Sequence, residues 1–350
     1  MELEHKPFRN IDLSDPFFDS LKEGYVEFPE WFARKADDSA YVFEQPDGTI
    51  HGFLYLKVED EALPEINPPQ ARARRLKVGT MKVNPHGTKM GERFIKKIVD
   101  HAVREKTEQI YVTVFEQHEA LISLFQRYGF EQIGTKTSHN GTELVLAKNI
   151  HAPYVDLYQN YPTVKLGNNR AYILSLRPEW HTRLLPDSIL RNETNDIVED
   201  ISSANSIHKV YLTGMHGINA LRKGDILVIY RTTDNQGPAH YRSVATSIGV
   251  VEEYRHLDSF TSAEEFYRYC RPYSVFSHRE LEDLWRRRNY PFVFKFMYNL
   301  SFKRKVTRAV MIEELGLPGA EQYWGFFQIS HDQLRAIADK GAADESLIID

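Results

Sequence analysis

The sequence predicts a mixed α/β (α+β) protein in two parts. The first is a mixed sheet flanked by helices; the second is a set of strands with helices between them, a small β-barrel or sheet. Three observations lead there. Strand-like and helix-like apolar patterns alternate from about residue 15 to residue 147. A cluster of turn formers (Pro153, Pro162, Gly167, Asn168, Asn169) then interrupts them. New strand patterns resume at Ala171. A chain of 350 residues has a prior of two domains. The boundaries expected are 1–148, a linker at 149–169, a second domain at 170–340 and a frayed tail at 341–350.

Asp15-Pro16 opens a helical pattern with Phe17, Phe18 and Leu21 on one side, and a second short helix begins at Phe28-Pro29. Tyr41–Phe43 is strand-like, and Gln45-Pro46-Asp47-Gly48 is a hairpin turn leading into a strand from Ile50 to Val58. A proline-rich loop (Pro64, Pro68, Pro69) precedes a long strand from Arg72 to Val83. Gly91–Glu105 is amphipathic: Phe94, Ile95, Ile98, Val99, Ala102 and Val103 share one face. Ile110–Val114 is a buried strand and Glu119–Tyr128 a second amphipathic helix, stopped by Gly129. Two short strands, Phe130–Gly134 and Glu143–Ala147, turn at Asn140-Gly141. In the second half, Ala171–Leu176, Lys209–Leu212, Asp225–Tyr230, Val244–Glu252 and Phe292–Met297 read as strands. Ser262–Tyr269, His278–Arg287 and His331–Lys340 read as helices, and Leu184–Ser203 as mixed and partly helical.

Composition narrows the function. Lys and Arg number 44 against 49 Asp and Glu, a net charge of −5, which excludes a generally basic nucleic-acid coat. The single cysteine, Cys270, excludes an intramolecular disulfide and a metal site of several thiolates. The histidines are scattered without a metal-ligand spacing, so no metal is expected. No apolar run has the length of a membrane span, and residues 1–10 lack the apolar core of a secretory signal. The expectation is a cytoplasmic protein without a membrane partner.

The most informative stretch runs from Val83 to Phe94, where a strand enters a glycine-containing turn and then an amphipathic helix. Free N–H groups and the dipole at a helix start bind anions, and glycines let a phosphate approach the backbone. The spacing fits neither a P-loop nor a dinucleotide fingerprint. An ordinary strand-to-helix turn stays open on this stretch alone.

Taken with its surroundings, the stretch resembles the GNAT superfamily of N-acetyltransferases, over about Phe8 to Lys148. That family reads Val-x-Pro, then Arg/Gln-Gly-x-Gly-x-Gly/Ala, then a helix; here the residues are Val83-x-Pro85, then His86-Gly87-Thr88-Lys89-Met90-Gly91. The family's later strand, polar residue and Tyr-x-x-x-Gly-Phe correspond to Ile110–Val114, His118 and Phe125-Gln126-Arg127-Tyr128-Gly129-Phe130. The resemblance implies acetyl-CoA as cofactor. Its pyrophosphate would lie on N–H groups of the loop from Gly87 to Gly91 (Gly87, Thr88, Lys89, Met90, Gly91) and its pantetheine arm along Met81, Lys82 and Val83, with His86, Glu92, His118 and Phe125 as further cofactor-binding residues. Three departures bear on chemistry. His86 replaces Arg/Gln; Lys89 replaces the middle glycine, so a positive φ there would cost about 1 kcal/mol; and Phe125 stands where many members carry a proton-donating tyrosine. Tyr128 is the substitute donor, with packing as its plain alternative. No acid lies on the Arg72–Val83 strand, so the candidate bases are Glu59, Glu61 and His118, each with a structural alternative.

The second half resembles the PUA-like (ASCH/EVE) superfamily through Leu221–Tyr230 and Ile248–Glu252. Those are small barrels, many of which bind RNA. Separately, Trp285–Arg308 holds eight basic residues and no acid, including Arg286, Arg287, Arg288, Lys303, Arg304 and Lys305, interleaved with aromatics. A solvated helix end beside a core strand is the alternative. Three functional readings stay open: an acetyl-CoA-dependent N-acetyltransferase acting on RNA, tRNA or a nucleic-acid-associated substrate; a protein or small-amine N-acetyltransferase; and a non-catalytic, acyl-CoA-sensing, RNA-binding protein.

Overall fold

The computed structural model describes residues 2–84, 89–185, 206–319 and 321–350. They form two compact units, 1–159 and 160–350. Residues 186–203 of the segment expected to be partly helical lie outside the described residues.

The first unit is an eight-stranded sheet. Its elements are β1 (Glu2–Pro7), α1 (Asp19–Gly24), α2 (Phe28–Arg34), β2 (Ser39–Glu44), β3 (Ile50–Leu63), β4 (Ile66–Asn67), β5 (Gln70–Val83), α3 (Met90–Arg104), β6 (Gln109–Phe115), α4 (Glu119–Arg127), β7 (Glu131–Ser138) and β8 (Gly141–Asn149). The strand order is β1-β2-β3-β5-β6-β8-β7-β4. Every pairing is antiparallel except β5 with β6, which α3 joins as a βαβ crossover. The apolar stripe expected on α3 is buried: Phe94, Ile95 and Ile98 are fully shielded. Each such side chain contributes about 1.5–3 kcal/mol through burial. A second cluster, Phe8, Phe17, Phe18, Phe28, Phe32 and Phe53, fastens α1 and α2 to the sheet. Two differences from the sequence reading are local. β1 was expected as a charged terminus, yet it pairs with β2 from Glu2↔Glu44 to Pro7↔Ser39. β3 runs on to Leu63, because its charged second half is laddered against β5.

The second unit contains β9 (Val164–Lys165), β10 (Ala171–Leu176), α6 (Pro178–Leu184), β11 (His208–Thr213), β12 (Ile226–Arg231), α7 (Ala239–Arg242), β13 (Val244–His256), α8 (Ala263–Cys270), α9 (His278–Arg287), β14 (Phe292–Thr307), α10 (Arg308–Glu313), β15 (Phe326–Ile329), α11 (His331–Lys340) and β16 (Ile348–Ile349), with the short α5 (Leu157–Asn160) at the division. Six strands follow the order β11-β14-β13-β12-β10-β15. The long β13 and β14 slip register at three places, so the sheet bends. Among the described residues no ladder joins the edge strands β11 and β15. β14 extends ten residues beyond the expected Met297, because β13 pairs with it as far as Thr307. The tail expected to fray is packed. Ile348 and Ile349 pair with Val164 and Lys165, Leu347 is buried, and Arg335 holds the Ile348 carbonyl at 3.2 Å. Three apolar residues in the last four are enough to dock it.

No helix among the described residues is long and apolar enough to cross a membrane. Nor do three His, Cys, Asp or Glu side chains among them come together as a metal site.

Candidate functional site

The site begins with one extra residue in a strand. β5 pairs with β6 only from Arg75↔Gln109 to Val78↔Val112, although both strands continue. On its other side β5 pairs with β3 as Leu56↔Val78 and Tyr55↔Thr80, which leaves Gly79 as a bulge. A bulge bends its strand and re-aims the residues after it. Here it turns β5 away from its parallel neighbour, and a slot opens between Gly79–Val83 and Thr113–Phe115. Glycine is required at the vertex: a Cβ on Gly79 would come within 2.7 Å of the Tyr55 ring. α3 starts after one slot wall and α4 after the other, so the mouth lies at the carboxyl ends of two parallel strands, where open α/β sheets bind ligands.

A cleft of about 400 Å³ joins the slot. Tyr25, Phe28, Trp31 and Tyr55 form an aromatic wall. The polar lining includes Lys57, Glu59, Lys77, His118, Lys136 and Glu143. Its two buried carboxylates differ in surroundings. Glu59 accepts from the Tyr111 hydroxyl at 2.5 Å and from Lys57 at 2.9 Å, and Lys77 lies 3.9 Å away. Burial pushes its carboxyl up, but those two hydrogen bonds and the two ammonium charges outweigh burial and hold it below the usual carboxylate range. Glu143 stands opposite Phe115, the last residue of β6. It is 6% exposed, accepts from the Tyr25 hydroxyl at 2.8 Å, and has no cation within ion-pair reach among the described residues. Burial, then the hydrogen bond to Glu143 and the charges of Glu143 and Glu27, raise the Tyr25 hydroxyl well above its ordinary value, so it stays protonated. Glu27 at the rim is held ionised by Asn140, whose amide donates to both its oxygens.

The residues singled out from sequence fall into three groups. Glu59, Met81 and His118 line the cleft. His118 occupies the N-cap position of α4, makes no capping bond and is exposed. Glu61 is exposed and does not line the cleft; its carbonyl accepts from Arg75 at 3.0 Å. Phe125 and Tyr128 are fully buried and do not line it either.

At the mouth, Lys89 is exposed with φ +57°, the left-handed conformation that glycine adopts without strain. Met90 is buried, as is Glu92, which lies 3.5 Å from Arg127. A Cβ on Gly91 would meet Leu124 at 2.8 Å, so glycine there lets α3 approach α4. Val83 pairs with Gly52, while Lys82 turns to the Phe17 carbonyl and to Ser20. His86, Gly87 and Thr88 lie outside the described residues.

Sequence reasoning missed Tyr25 and Glu143. They are 118 positions apart, and only the β6–β8 register and the seating of α1 and α2 bring them together.

In the second unit the basic stretch is dispersed. Asp283 takes Arg286 at 2.5 Å, Asp258 takes Arg288 at 2.8 Å, and Glu252 lies 3.1 Å from Lys295. Lys305 donates to the Phe302 carbonyl at 3.3 Å. Arg287, Lys303 and Arg304 are exposed and form no ion pair among the described residues. Arg287 also lines a cleft of about 740 Å³ with Arg177, Trp180 and Tyr290.

No protein-family profile matches the chain. Among solved structures it is similar to a mutant of the ZmASCH protein from Zymomonas mobilis, 8% identical, covering 51% of this chain and 100% of that one, with a TM-score of 0.33. It is also similar to an IAA acetyltransferase from Bacillus cereus, 14% identical over 42% of this chain and 98% of that one, TM-score 0.32. A third is the NatC complex bound to Gag peptide and CoA, 18% identical over 43% and 99%, TM-score 0.27.

Proposed function

We propose that the first unit is an acetyl-CoA-dependent N-acetyltransferase. The observation that carries this reading is the slot between β5 and β6, opened by the bulge at Gly79 and backed by a cleft of carboxylates and aromatics. The unpaired edge of Gly79–Val83 suits an extended arm bearing amides, which binds a strand edge as an added strand does. The start of α3 and the exposed Lys89 suit the anionic end. The acyl-CoA thioester would supply the activated acetyl group.

The chain's own residues then handle the amine. Glu143, with no cation within ion-pair reach among the described residues, takes the proton that the acceptor nitrogen must lose, and Tyr25 holds the carboxylate in place. Glu59 is held in its anionic form and fixes Lys57. Calorimetric titration with acetyl-CoA tests the reading: saturable binding is expected, and its absence would end it.

A second reading, RNA binding by the second unit, is favoured by Arg287, Lys303 and Arg304, which are exposed and form no ion pair among the described residues. A gel shift of tRNA that weakens with salt is the expected result, and no shift at low salt would remove the reading.

A further inference from the structure

The cleft contains an amine of its own. Four lysines line it: Lys35, Lys57, Lys77 and Lys136. Three are occupied. Lys35 pairs with Asp38 at 2.9 Å, Lys57 with Glu59 at 2.9 Å, and Lys136 with Glu65 at 3.4 Å. The Lys77 ammonium makes no hydrogen bond among the described residues; it has a long ion pair with the Glu59 carboxylate at 3.9 Å and lies 5.7 Å from the Tyr111 ring. Glu59 is already engaged through both oxygens, by Lys57 and Tyr111.

Lys77 also stands at the vertex of the slot, two residues before the bulge and paired with Tyr111 across β5 and β6. With the anionic end of the cofactor at the start of α3, the arm runs back along Gly79–Val83 towards that vertex. Burial lowers the affinity of the Lys77 amine for a proton; Glu59 opposes this, and Lys136 and Lys57 reinforce it. The amine is therefore neutral more often than that of a solvated lysine.

We infer that Lys77 is a self-acetylation site of this protein, an inference that rests on the acetyl-CoA reading above. The Lys77 nitrogen forms a bond to the thioester carbonyl carbon. The carbon–sulfur bond breaks, and its electron pair leaves on sulfur. The nitrogen's proton passes through water to the departing thiolate. The acetylated side chain is uncharged, so Glu59 keeps Lys57 as its only cation, and the acetyl group occupies part of the acceptor cleft.

The test uses the full chain and two labels, both read by peptide mass spectrometry. With acetyl-CoA, Lys77 should be acetylated at least about tenfold faster than the exposed Lys106 and Lys223, because bound reactants react at high effective concentration. With trace acetic anhydride and no thioester, added CoA should slow labelling of Lys77 and leave Lys106 and Lys223 unchanged. Labelling of Lys77 no faster than those two, or no protection by CoA, would overturn the inference while calorimetric binding of acetyl-CoA kept the acetyltransferase reading alive. Absence of acetyl-CoA binding would remove both.

Discussion

Among the described residues, the main sheet of each unit contains one pair of adjacent parallel strands, and the two pairs end differently. In the second unit β10 and β12 stay paired over their whole length, Ala171↔Ile226 to Leu176↔Arg231. Its cleft is lined by side chains of α6, α9 and the loops together with Ser175 of β10 and Tyr211, Leu212 and Thr213 of β11. In the first unit the parallel pair parts after Val78 and Val112, and the sheet itself becomes part of the site. The difference teaches that backbone, rather than side chains, can be made available for binding, and that a single bulged glycine suffices.

The largest expected effect breaks the chemistry on the slot side. Glu143→Gln should lower kcat/KM for an amine acceptor by about 10²-fold or more, the usual worth of a positioned base, while the affinity for acetyl-CoA stays within threefold or so. Glu59→Gln should cost less, because that carboxylate is already committed to Tyr111 and Lys57. The reverse order, read from steady-state rates, would move the base to Glu59.

Gly79→Val tests the slot itself. Its side chain meets the Tyr55 ring, and about 1–3 kcal/mol of overpacking corresponds to roughly 10–100-fold weaker acetyl-CoA binding by calorimetry. RNA retardation by the second unit should be unchanged. The converse variant, Arg287→Glu with Lys303→Glu and Arg304→Glu, should abolish retardation of tRNA and leave acetyl-CoA binding intact. If both variants affected both ligands, the two sites would not be independent.

Acid and base separate the units further. Burial lowers the amine of the fully buried Lys148 to about 7, although Glu131 opposes the shift, and the amine donates to the Gln159 carbonyl. Unfolded lysine titrates near 10.4, so the unfolded chain holds more protons between those values. Stability from this group is complete above the unfolded value and is lost as pH falls to about 7. Burial, with Arg231 and Lys305, lowers the fully buried His181 to about 3, and its stability is lost as pH falls from about 6.5 towards that value. Amide exchange should show the first unit weakening between pH 10 and 7, and the second between pH 6 and 4. Lys148→Met and His181→Gln should each flatten one of these slopes.

The smallest effect concerns the mouth. Lys89→Gly relieves a left-handed lysine and should raise thermal stability by up to about 1 kcal/mol, with acetyl-CoA affinity changed less than by Gly79→Val.

Much of the fold was legible because its signals are local. The apolar stripes of α3 and α4, the Pro-Asp-Gly turn before β3 and the glycine after α4 each depend on residues within a few positions of one another. The end of β5 and the start of α3, where the proposed cofactor side lies, were legible for the same reason; His86, Gly87 and Thr88 between them lie outside the described residues. The acceptor side was not. Glu143 lies in an unremarkable hairpin, Tyr25 in a short helical region, and Lys77 in a strand that looked uniformly basic. The Arg286–Arg308 cluster misled in the opposite direction, because Asp258, Glu252 and Asp283 come from outside it to neutralise part of it.

By itself, then, the sequence determined most of the element order, the core faces and the succession of β5 and α3, all of which follow from periodicity and turn chemistry over short spans. Only the tertiary structure decided where β5 leaves β6 and, among the described residues, which cleft carboxylate has no cation within ion-pair reach and which cleft ammonium makes no hydrogen bond. Those properties belong to register and to pairing between distant residues, and electrostatic balance is settled by whichever charges the fold brings within a few ångströms.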